Sequence, residues 1–100
     1  MADEFFIDFR VAGVFYRAEV SNFKQLQIGD ELTLEPEPSN HYDQDAIKVL
    51  FGGNHIGYVP KDSTQYIHAA LKSGKTLRVQ VDGLKTADNY AHVSVFIVQE

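Results

Sequence analysis

The chain has no cysteine. That excludes a disulfide framework and any thiolate metal site. It is in keeping with a reducing compartment, so the expected location is cytoplasmic, or nuclear in a eukaryote. Long apolar runs are also missing. The opening "MADEFFIDFR" is acidic and Asp8 interrupts its apolar stretch, which is not the pattern of a signal peptide. No segment approaches membrane-spanning length, and no membrane partner is expected. Positive charge is scarce: nine Lys and Arg stand against fourteen Asp and Glu, for a net charge of −5. This argues against broad non-specific binding to nucleic acid, which relies on a basic surface. The deficit is uneven. Residues 1–45 carry three basic and ten acidic side chains, net −7, whereas residues 46–100 carry six and four, net +2. A local basic patch is compatible with this distribution; a wide one is not.

Motifs for chemistry are equally scarce. His41, His55, His68 and His92 are scattered without metal-ligand spacing. Ser39, Ser63, Ser73 and Ser94 lack a nucleophile-elbow context. No pair of acids is placed by a recognisable acid–base motif, and Gly52-Gly53 reads as a turn rather than a phosphate cradle. The sequence therefore predicts no metal, no cofactor and no enzymatic activity.

What is present is a folded β-rich chain. Its 100 residues, 44% hydrophobic and 23% charged, suit one globular domain. "FFIDFRV" alternates Phe5, Ile7, Phe9 and Val11 against Phe6, Asp8 and Arg10, the period of a half-buried strand. "SNFKQLQIGD" reads as one helical turn anchored by Phe23, Leu26 and Ile28 and closed by a turn at Gly29-Asp30. "ELTLEP" puts Leu32 and Leu34 on one face. "AIKVLF" and "HIGYVP" flank Gly52-Gly53-Asn54, a hairpin signal. A helix follows near 63–72, with Asp62 and Gln65 spaced as a capping box. Tyr66, Ile67, Ala70 and Leu71 form its apolar face, and Gly74 is its stop. "TLRVQVDGL" and "AHVSVFIV" supply two more strands. The expected strands are 5–11, 31–36, 46–51, 55–59, 76–84 and 91–98. The fold class is mainly β, with a minor α component. The architecture is a small OB-like or SH3-like antiparallel barrel of about six strands, one end plugged or flanked by the helix.

The stretch "PEPSNHYDQDAIKV", residues 36–49, is longer and more polar than a hairpin needs. One reading is an Asx-type turn, in which Asn40 or Asp43 bonds nearby amides and Tyr42 covers the barrel edge. The other is a binding surface. Tyr58 and Lys61 in "IGYVPK", and Tyr16 and Arg17 in "GVFYR", set further aromatics beside cations. Rings for bases and charges for phosphates are what single-stranded nucleic acid requires.

Together, "VAGVFYR", "GDELTLEPEPSNHYDQDAIKV", "GGNHIGYVPK" and the helix end "AALKSG" resemble the HIRAN domain family over roughly residues 9 to 84. The resemblance implies a single HIRAN-like barrel domain over 1–100, either a small free-standing bacterial or phage-type protein or an excised module. It further implies a non-enzymatic module that binds single-stranded DNA at a 3′-hydroxyl end in DNA repair and replication-fork processing. The implied protein is a monomer with a helicase or nuclease partner. Carried over, Tyr42 stacks on or braces the terminal nucleotide and Asp43 accepts a hydrogen bond from its hydroxyl. Tyr16 gives another stacking face or a phosphate contact, and Lys61 a phosphate contact, beside Arg17. Phe15 and Tyr58 occupy pocket positions where DNA-binding members can carry a basic residue and a histidine. His41 stands where proline is usual and Asp45 where asparagine is usual. These departures add negative charge, and they favour the alternative of a protein-interaction module on the same fold.

Overall fold

A computed structural model describes residues 3–13 and 23–99. Six strands form one antiparallel sheet: β1 (Glu4–Arg10), β2 (Glu31–Pro36), β3 (Ile47–Phe51), β4 (Asn54–Tyr58), β5 (Leu77–Lys85) and β6 (Tyr90–Ile97). The helix α1 (Lys61–Lys72) joins β4 to β5. The strand order is β1-β6-β5-β2-β3-β4. β2 links the two halves of the sheet. Its first residues pair with β5, through Glu31 opposite Gln80 and Leu32 opposite Val79. The rest pairs with β3, from Thr33 opposite Leu50 to Pro36 opposite Ile47.

The strand ladder is open, with β1 and β4 at its edges. One isolated antiparallel bridge ties those edges together. The Val11 amide still donates to Ala91 of β6, at 2.9 Å, but Ala12 turns to β4 and exchanges both backbone bonds with Tyr58, at 2.8 and 2.7 Å. Gly13 follows with φ +72°, and a Cβ there would meet the Tyr58 ring at 3.4 Å. Among the described residues, the barrel is fastened at this one corner. At the opposite end of β4, Gly52 and Gly53 adopt φ +57° and +85°, as the two-residue β3–β4 turn requires.

The core is built largely from alternate residues of the strands, with Phe23 and Ile67 added from the turn before β2 and from α1. Phe9, Val11, Leu32, Ile47, Val49, Ile56, Val79, Val81, Val93 and Val95 are all buried, and Phe23, Ile47 and Ile67 are fully so. Each such side chain contributes about 1.5–3 kcal/mol relative to leaving it exposed.

The structure corrects four details. A β-bulge separates the Phe5–Phe96 pair from the Ile7–Val95 pair, so the alternation slips by one residue at Phe6. Phe5 therefore faces outward, its ring edge-on to Phe96 with centroids 6.0 Å apart, while Phe6 and Ile7 pack against the core. Ile28 is exposed, leaving Phe23 and Leu26 to anchor their turn. The helix starts at Lys61, not 63. Its N-cap is Pro60, held at ψ 147°, and no side chain makes a cap hydrogen bond. Proline fixes φ at −58° and lacks the N–H that a helix start leaves unpaired, and the first turn begins directly after it, so Asp62 comes two residues too late to cap. The buried helix face is Thr64, Ile67 and Ala70, whereas Tyr66 and Leu71 are exposed. The helix end is as expected: the Gly74 amide bonds Leu71 O at 3.0 Å and the Lys75 amide bonds Ala70 O at 3.0 Å, a Schellman closure.

On the outer face of β1, β6 and β5, His92 lies between Asp8, at 3.3 Å, and Asp82, at 2.5 Å, and Ser94 donates to Asp82. Burial pushes the Asp82 carboxyl up, but the bonds from Ser94 and His92 outweigh it and hold the group below the usual carboxylate range.

Candidate nucleic-acid interface

The loop between β2 and β3 is a chain of side-chain-capped turns. Asn40 Oδ1 accepts from the amides of Tyr42 (2.8 Å) and Asp43 (3.0 Å). Asp43 Oδ1 accepts from the amide of Asp45 (2.9 Å), and the Asp43 carbonyl accepts from Ala46 (3.1 Å). These are Asx turns, so the turn reading of this loop holds for Asn40 and Asp43, but not for Tyr42, which is exposed and does not cover the barrel edge. With its backbone held on both sides, the Tyr42 ring is 97% exposed. A ring left in water forgoes the stabilisation that burial would supply.

The ring stands over a cleft of about 340 Å³. The β2–β3 loop lines it with Asn40, Tyr42 and Asp43, and the end of β4 and start of α1 line it with Tyr58, Pro60 and Lys61. Gly13 and Ala12, at the barrel corner, line it as well. The structure thus brings Tyr42, Asp43, Tyr58 and Lys61 to one place, although Tyr42 and Lys61 are 19 positions apart in the chain. Phe15, Tyr16 and Arg17 lie outside the described residues.

Glu37 joins the loop to β4, and the sequence reading missed it. Its Oε1 accepts from Asn40 Nδ2 at 2.8 Å and from the Tyr58 hydroxyl at 3.0 Å. Lys48 Nζ lies 3.8 Å from its other oxygen. The Tyr58 ring is further braced edge-on by His55, with centroids 4.7 Å apart. The Asn40 bond, then the Tyr58 bond and the charges of Lys48 and His55, hold the Glu37 carboxyl below the usual range, against the opposing effect of burial. A depressed carboxylate stabilises the fold above the unfolded-state value, about 4.3 for Glu, and that contribution is lost as pH falls through the lower folded value. Melting temperature should therefore fall on acidification below about pH 4. Glu37→Gln, followed by thermal melts across pH 2–7, should flatten that fall; an unchanged pH profile would mean that Glu37 does not hold the loop.

Beyond the cleft, His68 Nε2 lies 2.9 Å from the Asp45 carbonyl, linking α1 to the same loop. Among the described residues, no His, Asp or Glu cluster is arranged to hold a metal ion, and no helix is long and apolar enough to cross a membrane.

Comparison with known proteins places this geometry in a family. No curated protein sequence matches the chain. Two solved structures share its fold. A protein from Lactobacillus plantarum superposes with a TM-score of 0.87 at 22% identity, covering 99% of this chain and 98% of that one. The HIRAN domain of human HLTF superposes with a TM-score of 0.73 at 20% identity, covering 95% of this chain and 78% of that one. The family model for the HIRAN domain matches residues 5–98. The chain belongs to the HIRAN domain family, a family of nucleic-acid-binding modules.

Proposed function

We propose that this protein binds single-stranded DNA at a free 3′-hydroxyl end, in the service of repair or replication-fork processing beside a helicase or nuclease. The observation that carries the reading is the cleft itself: an exposed Tyr42 ring, the Asp43 carboxylate and the Lys61 ammonium border one concavity. A ring offers a stacking face for a base. An ammonium suits a phosphate. A carboxylate accepts strongly from a hydroxyl and repels a phosphate, so one Asp can distinguish a clean end from a phosphorylated one. Glu37, by tying Asn40 to Tyr58, sets the walls before a ligand arrives and lowers the ordering cost of binding.

The test is fluorescence anisotropy with labelled single strands ending in a 3′-hydroxyl or a 3′-phosphate, at low and moderate salt. Tighter binding of the hydroxyl end is expected; equal affinity for both ends overturns end recognition. Lys61→Ala should weaken binding and reduce the salt slope by about 0.7, the value for one phosphate contact on a single strand. A second reading, a protein-interaction module, is favoured by the acids nearby: Asp43 in the cleft wall, with Glu37 and Asp45 bonded to its loop. Absence of binding to either strand at low salt would select it.

A further inference from the structure

We propose that the outer face of α1 is a track for the phosphates lying 5′ of the terminal nucleotide, so that the strand is held along its backbone as well as by its end. The inference rests on the end-binding reading and extends it to a second surface. Most cations on the strands are engaged. Lys48 faces Glu35 and Glu37, Arg78 bonds Asp3, and Arg10 lies over the Tyr90 ring. Lys61 and Lys72 make no ion pair among the described residues, and both are on α1. Lys61, Gln65, His68 and Lys72 recur at i, i+4, i+7 and i+11, which at 3.6 residues per turn confines them to an arc of about 60°. The helical rise separates Lys61 from Lys72 by about 16 Å along the axis.

This face begins at the end cleft, because Lys61 lines it. One turn on, a second concavity of about 390 Å³ is lined by Asp45, Thr64, Gln65, His68 and Lys72. None of these residues is Phe, Tyr or Trp, and the one ring, His68, is tied to the Asp45 carbonyl, so the surface is suited to gripping a backbone rather than stacking bases; its contacts would be indifferent to sequence. The bond between His68 and the Asp45 carbonyl, with the Asp45 amide bonded to Asp43, fastens the loop that meets the strand end to the helix that carries the lysines. End and track are thus held in one register. The Asp45 carboxylate opposes a phosphate here and directs it toward Lys72. A stacked strand advances about 3.4 Å per nucleotide, so the face accommodates at most about five.

The experiment compares the whole protein with 3′-hydroxyl oligothymidylates, a dinucleotide and a hexanucleotide. The hexanucleotide should bind several-fold more tightly. Lys72→Ala should remove much of that gain and reduce the hexanucleotide salt slope by about 0.7. It should leave dinucleotide affinity and the hydroxyl preference as they were, because a dinucleotide does not reach Lys72. Asp45→Asn should tighten hexanucleotide binding. Neutral methylphosphonates at the 5′ linkages should reproduce the Lys72→Ala loss and add nothing to it in that variant. Equal wild-type affinity for both lengths, or equal weakening of both by Lys72→Ala, overturns the track while leaving end binding intact. Failure of the wild type to bind either strand overturns the end-binding reading and the track with it.

Discussion

Asp43→Ala should weaken binding to 3′-hydroxyl ends by about ten- to a hundred-fold, because a hydrogen bond to a charged acceptor contributes about 1.5–3 kcal/mol. The same change should narrow the gap with 3′-phosphate ends, since it removes a repulsion too. The geometry adds a complication: Asp43 Oδ1 also accepts from the Asp45 amide at 2.9 Å. Alanine therefore loosens the turn as well as emptying the acceptor position. Asp43→Asn separates the two effects. Its amide oxygen can still close the turn, but it brings no charge to the strand end. Thermal melting and paired affinities for the two ends are the measurements. An asparagine variant with native melting and a diminished end preference is the expected result; full wild-type preference in that variant would remove Asp43 from end recognition.

Ile47→Ala should destabilise the fold by about 2–5 kcal/mol, the range for deleting a buried isoleucine side chain. Ile47 is fully buried, and its carbonyl accepts the Val59 amide at 2.9 Å, so it lies directly behind cleft residues Ala46 and Val59. Small domains are stable by about 5–15 kcal/mol, so the loss is a large share of the total. Denaturant titration should show a lower midpoint with an unchanged slope. In the molecules that remain folded, the ratio of affinities for the two ends should be unaltered, since no group that meets the strand has changed. A shifted ratio would mean that cleft shape, rather than the chemistry of its walls, sets the preference.

The strands were legible because their pattern is local. Alternation in "TLRVQVDGL" and "AHVSVFIV" places Val79, Val81, Val93 and Val95 inward, and all four are buried. The bulge at Phe6 was not legible, because one extra residue leaves the composition of the strand unchanged and only the partner strand reveals the slip. At the helix start, the spacing of Asp62 and Gln65 imitated a cap, and Pro60 prevailed by fixing the backbone. The sequence motifs pointed to Tyr42, Asp43, Tyr58 and Lys61, and the fold brings them to one cleft. Glu37 escaped notice for a different reason. It lies in a run of alternating Glu and Pro, and its partner Tyr58 is 21 residues away. No period or local spacing encodes such a pair.

The position of β6 bears on how the molecule comes into being. β1 pairs with β6 rather than with β2, and β6 is the last of the described strands in chain order. The hairpin of β3 and β4 can form early, from contacts a few residues apart. β1 must wait for nearly the whole chain, and closing so long a loop is entropically slow. The Ala12–Tyr58 fastening waits with it, because Ala12 is carried to β4 on the end of β1. A nascent chain would then hold the loop and hairpin of the cleft long before the corner that completes it. Competence to bind a strand end should appear only in the final step of this domain's folding, once β6 has emerged and paired.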